Sequence, residues 1–128
     1  VWGPQPVVQF SAAFPVIAQE LALPPPPPGR PGAFALSDPD RLAELAAQAG
    51  FRDVETGTVS VIFETESPEQ YTEFIRDGAP QLSTLPGDQP TAVQERVWQK
   101  VTDAYGQFQG ADGRVHTENQ AIWFKGRK

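Results

Sequence analysis

The sequence predicts a mixed α+β fold of two strands and about four helices. Three observations carry this expectation: a helix with marked ends between Ser37 and Gly50, an alternating run over 54–64, and a second β-rich run over 118–125. At the first helix, Asp38 or Ser37 can accept from an N–H that the first turn leaves unpaired. Pro39 suits the first helical position, where no N–H is needed. Leu42, Leu45, Ala46 and Ala49 share one face. Gly50 can adopt the left-handed conformation that stops a helix, with Phe51 folding back on the last turn. Val59, Val61 and Phe63 then alternate with Ser60, Ile62 and Glu64, as in a strand.

The remaining elements follow in chain order. Residues 1–6 are expected to be extended, because Pro4 and Pro6 oppose a helix. A helix is expected from about Val8 to Leu23, with Phe10, Phe14, Ile17 and Leu21 on one face and a kink or division at Pro15. Residues 24–32 form a proline- and glycine-rich loop. It reads as a stiff solvated linker, and alternatively as a ligand for an aromatic-grooved adaptor domain. Ser67-Pro68-Glu69-Gln70 is a capping box, in which Ser and Gln satisfy each other's backbone donors. Tyr71, Phe74, Ile75 and Leu82 follow on one face, with a break expected near Gly78. Leu85-Pro86-Gly87-Asp88 reads as a turn. A longer helix is expected from Pro90 to Phe108, striped by Val93, Val97, Val101, Ala104, Tyr105 and Phe108. Gly110-Ala111-Asp112-Gly113 reads as a turn before the aromatic-rich last strand.

Composition narrows the chemistry. The 128 residues amount to one domain, 1–128. The chain has no cysteine, which excludes disulfides, thiolate metal sites and a cysteine nucleophile. His116 is the only histidine, so any Ser–His–Asp triad would have to use it. A net charge of -6 argues against a nucleic-acid partner. No apolar run approaches a membrane span. The expected compartment is the cytoplasm.

The stretch from Phe34 to Val54, F-x-L-x-D-P-D-R-L-x-x-L-x-x-x-A-G-F-x-D-V, resembles the C-terminal part of class I S-adenosylmethionine-dependent methyltransferases, of the UbiE-like or type 11 kind. Val1-Trp2-Gly3-Pro4 resembles the end of that family's fifth strand. Asn119 to Arg127 resembles its seventh. The resemblance implies an α/β, Rossmann-like sheet in which the seventh strand lies antiparallel between the fifth and sixth. The helices of 67–109 then form an insertion between the two strands, a cover over the acceptor. It also implies S-adenosylmethionine as cofactor and a small organic molecule as methyl acceptor. The family's glycine-rich turn has no counterpart here, so no cofactor-binding residue is expected in this chain. With no methionine anywhere, the chain is expected to be a C-terminal fragment cut inside the fifth strand, and inactive in isolation.

Candidate site residues follow from this expectation. Methyl transfer from a sulfonium is an in-line displacement that depends mainly on alignment, so few catalytic groups announce themselves. His116 is the one candidate base with a suitable intrinsic pKa; the alternative is a plain exposed histidine. Glu64 and Glu66 could be paired acids or a solvated strand end. Asp38 and Asp40, with Ser37, could bind a cation, but helix capping accounts for them without a metal. Trp2, Phe10, Phe14, Phe34, Tyr71 and Phe74 are candidates to line an apolar acceptor pocket, against ordinary core packing. The rival to the methyltransferase reading is a non-enzymatic α+β module that binds a small molecule in an aromatic pocket.

Overall fold

The computed structural model describes residues 1–128. It is an α+β protein with five α-helices and one two-stranded antiparallel sheet. In chain order the elements are α1 (Ala13–Glu20), α2 (Pro39–Gln48), β1 (Arg52–Thr65), α3 (Pro68–Gly78), α4 (Pro80–Gly87), α5 (Thr91–Tyr105) and β2 (Val115–Arg127). No helix is long and apolar enough to cross a membrane. The chain divides into two compact units. The first comprises Val1–Gln9, Pro26–Ile62 and Glu118–Lys128; the second comprises Phe10–Pro25 and Phe63–Thr117.

In the first unit, α2 is built by the signals its sequence carries. The Asp38 carboxylate accepts from the Asp40 N–H at 2.9 Å, so Asp38 rather than Ser37 is the cap. Leu42 and Ala46 are buried. The helix ends in a paired motif: Gly50 N–H donates to Ala47 O and Phe51 N–H to Ala46 O, both at 3.0 Å. Gly50 stands at φ +92°, a conformation that a side chain with a Cβ resists. No neighbouring atom would touch a Cβ there, so any cost of substitution comes from the backbone. Gly50→Val is therefore expected to destabilise by about 1–3 kcal/mol, read from the denaturant midpoint. An unchanged midpoint would show that the stop does not depend on glycine.

Both strands run longer than the β-rich patterns, 52–65 against 54–64 and 115–127 against 118–125. Among the extra residues, Thr65, Val115 and Thr117 are β-favoured types, whereas Arg52, Asp53, Gly126 and Arg127 are not and are held by pairing. Phe51 packs edge-on to Phe124 at 5.8 Å. The opposite edge of β2 is also occupied. Trp2 bridges Ala121 and Val8 bridges Asn119, both antiparallel. Ile122 N–H donates to Val1 O at 2.7 Å and Gly3 N–H to Gln120 O at 2.8 Å. β2 thus lies between β1 and the opening stretch and runs antiparallel to both. Asn119 is fully buried, and its amide donates to Val61 O at 3.2 Å.

The second unit is a helical packing of α1, α3, α4 and α5 around Ile17, Tyr71, Leu82, Val97, Val101 and Tyr105. α1 is shorter than the expected 8–23 helix and is preceded by 3₁₀ turns at Gln5–Val7 and Gln9–Ala12. The reason is Pro15, the third residue of α1. Its missing N–H costs nothing in the first turn, whereas a helix begun earlier would put its ring against the carbonyl of Ser11. Pro15 sets where the helix starts instead of kinking it.

The break near Gly78 falls at Ala79, which leaves the helical conformation (φ −131°, ψ 70°) before Pro80. α4 continues through Pro86 to Gly87, so the turn expected at 85–88 begins later. The α3 cap differs in one partner from the reciprocal box. Ser67 Oγ accepts from Gln70 N–H at 3.1 Å, but Gln70 Oε1 accepts from Glu66 N–H at 2.8 Å, one residue upstream. Thr72 and Thr102 hydroxyls meet at 2.7 Å and tie α3 to α5.

Candidate functional site

The end of β1 and the start of β2 carry most of the candidate groups. Alternation sends neighbouring side chains of a strand to opposite faces. Phe63 and Glu64 therefore diverge, and so do His116 and Thr117. All of these residues belong to the second unit.

On one face stands a ladder of aromatic rings. Phe10 lies 6.0 Å from Phe63 between ring centres, and Phe63 lies 5.3 Å from Phe74, edge-on. Tyr71 meets Phe74 at 5.9 Å and Tyr105 at 4.4 Å. The Tyr71 hydroxyl shares a 2.6 Å hydrogen bond with Thr117, and the Tyr105 hydroxyl donates to Phe10 O at 2.6 Å. Burial pushes the Tyr71 phenol up to about 12, against a smaller opposing effect of its bond to Thr117. The Tyr105 phenol is raised further, by burial first and then by the nearby Tyr71.

On the other face is a charged cluster. Glu64 accepts from Arg114 and from His116 Nδ1, the latter at 3.0 Å. Arg114 also reaches Glu66 at 3.1 Å, and His116 Nε2 stands 3.5 Å from Asp112. The Arg114 N–H donates to Asp112 at 3.0 Å. That bond, with His116 assisting, holds the Asp112 carboxyl below its usual value. These groups are partly or fully exposed, so each ion pair is worth about 0–1 kcal/mol. Together they fasten the 110–113 turn to the strand ends.

The six aromatic candidates are distributed unevenly. Phe10, Tyr71 and Phe74 come together, joined by Phe63 and Tyr105, which pocket reasoning did not single out. Phe10 and Tyr71 are buried as core residues, with Tyr71 closed in by Phe74 and Tyr105 and its hydroxyl bonded. Phe74 is the one of the six that is exposed, at 43%. Phe14 is half-buried on α1. Trp2 and Phe34 are half-buried and belong to the first unit.

His116 is exposed, with both ring nitrogens facing carboxylates, on the face opposite the rings. Its side chain lies on the strand face opposite that of Thr117. Glu64 and Glu66 are brought together through Arg114, as ion-pair partners. The Asp38 carboxylate is taken up by the α2 cap, and Asp40 donates its N–H to that cap. The Phe63 contact had a signal in the sequence, since it lies on the Val61–Phe63 side of the alternation. Tyr105 had one in the α5 stripe.

No protein-family model matches this chain, and no curated protein is significantly similar to it.

Proposed function

We propose that this chain is the acceptor-side, C-terminal portion of an S-adenosylmethionine-dependent methyltransferase that transfers a methyl group to a small organic acceptor. The observation that supports this reading is strand order. β2 lies antiparallel between β1 and the Val1–Gly3 stretch. This is the arrangement that the Phe34–Val54 resemblance calls for, with the seventh strand between the fifth and sixth. The opening stretch and β1, both antiparallel to β2, are parallel to each other and are joined through α1 and α2. A long helical crossover is the usual connection between parallel strands.

In this reading the chain's contribution is alignment. Phe74, exposed and edge-on to Phe63, offers an apolar ring to an acceptor. The reaction draws on positioning more than on proton transfer, consistent with a face that carries rings and no free base. The cofactor cradle would be supplied by residues outside these 128.

The test compares the 128-residue chain with the full product of the reading frame that encodes it, a longer one being expected on this proposal. Calorimetric titration with S-adenosylmethionine should show binding by the longer product and none by the 128-residue chain. The longer product should also transfer labelled methyl to small acceptors. Micromolar binding by the 128 residues alone, or a reading frame without a glycine-rich strand–turn–helix upstream, would overturn the proposal. The second outcome would favour the non-enzymatic binding module.

A further inference from the structure

We propose that Leu23–Arg30 is a docking ligand for a partner domain whose groove is lined by aromatic side chains and flanked by carboxylates. This proposal is independent of the methyltransferase reading. Every residue from Ala22 to Ala33 is exposed, and Leu23–Pro27 form neither helix nor strand. Leu23 N–H donates to Ala18 O at 2.8 Å, and Ala35 N–H donates to Gly32 O at 3.1 Å.

Five successive prolines have fixed φ and lose little conformational freedom on docking. They also carry no N–H, so in a polyproline conformation the backbone makes no internal hydrogen bond and its carbonyls are available to a partner's Tyr or Trp donors. In a polyproline helix, with three residues per turn, Pro25 and Pro28 would fall on one edge, about 9 Å apart. Aromatic-lined grooves read a Pro-x-x-Pro edge of this kind.

The charge pattern specifies the flank. Arg30 is the one charged residue between Glu20 and Asp38, on a chain of net charge -6. It stands two residues after Pro28. Gly29 at φ +77° turns it off the polyproline axis. Glycine moves between that conformation and an extended one without side-chain strain, so Arg30 can swing to a carboxylate beside the groove.

The test titrates an SH3 domain that prefers Pro-x-x-Pro-x-Arg ligands into the isotopically labelled 128-residue chain and follows the amide spectrum. The expected result is a Kd below about 1 mM, with shifts confined to Leu23, Gly29, Arg30 and Gly32. Arg30→Glu, and separately Pro25→Ala with Pro28→Ala, should each weaken binding at least about tenfold. The remaining amide signals of these variants should not move, because the substituted side chains are exposed. Absence of shifts at millimolar domain overturns the proposal. So do shifts elsewhere in the chain, or an Arg30→Glu variant that binds as tightly as the parent.

Discussion

Tyr105→Ala is expected to cost about 3–5 kcal/mol, the range for emptying a large aromatic site in a core. Tyr105 is fully buried, stacks 4.4 Å from Tyr71 and donates its hydroxyl to Phe10 O. The truncation therefore leaves a cavity against a second ring and removes the hydrogen bond to Phe10 O. A typical domain has only about 5–15 kcal/mol in hand, so the variant will be largely unfolded at modest denaturant. Tyr105→Phe separates the two contributions. It keeps the ring and removes only the hydrogen bond to the Phe10 carbonyl, for an expected loss of about 0.5–1.5 kcal/mol. Denaturant midpoints of the three proteins measure both. If Tyr105→Ala loses no more than Tyr105→Phe, the ring is not packed as described.

The local elements were legible because their signals are local. The α2 start, the Gly50 stop and the Ser67 cap each rest on hydrogen bonds spanning five residues or fewer. The fold class follows from the same signals. Errors arose where neighbouring structure decides. Pro15 reads as a kink if the helix is begun at Val8, and as a first-turn residue once Gln5–Val7 and Gln9–Ala12 are 3₁₀. Residues 115–117 carry β-branched Val115 and Thr117 in buried–exposed–buried alternation, and they extend β2 ahead of the aromatic-rich run.

The site was less legible, for the same reason carried further. Six aromatics could be named, but which of them meet depends on contacts such as Tyr71 with Thr117, 46 residues apart. Nothing near His116 in sequence announces Glu64 as its partner. Once β1 and β2 are paired, alternation settles the matter: Glu64 and His116 share one face, Phe63 and Thr117 the other. The strand register thus removes the sole histidine from the aromatic face. No composition argument could have done so.

Alkaline titration should unfold the protein in one step with both of its phenols. The chain has two tyrosines, and both are fully buried. An unfolded phenol titrates near about 10, whereas Tyr71 in the folded chain is pushed up to about 12 and Tyr105 is raised as well. Above about pH 10 the unfolded state gives up protons that the folded state retains. The unfolded state then binds fewer protons, and stability falls as pH rises. The stabilisation is fully present below about pH 10 and is lost through about pH 12. Tyr71 alone contributes about 2–3 kcal/mol at about 1.4 kcal/mol per unit, and Tyr105 acts in the same direction. The rings are 4.4 Å apart, so ionising one opposes ionising the other within the fold. Phenolate absorbance should therefore stay flat past about pH 10 and then rise together with loss of the helical circular dichroism. In denaturant, both phenols should titrate without cooperativity near about pH 10. If half of the phenolate signal appears there with the helical signal intact, one tyrosine is open to solvent and the aromatic ladder is not a closed core.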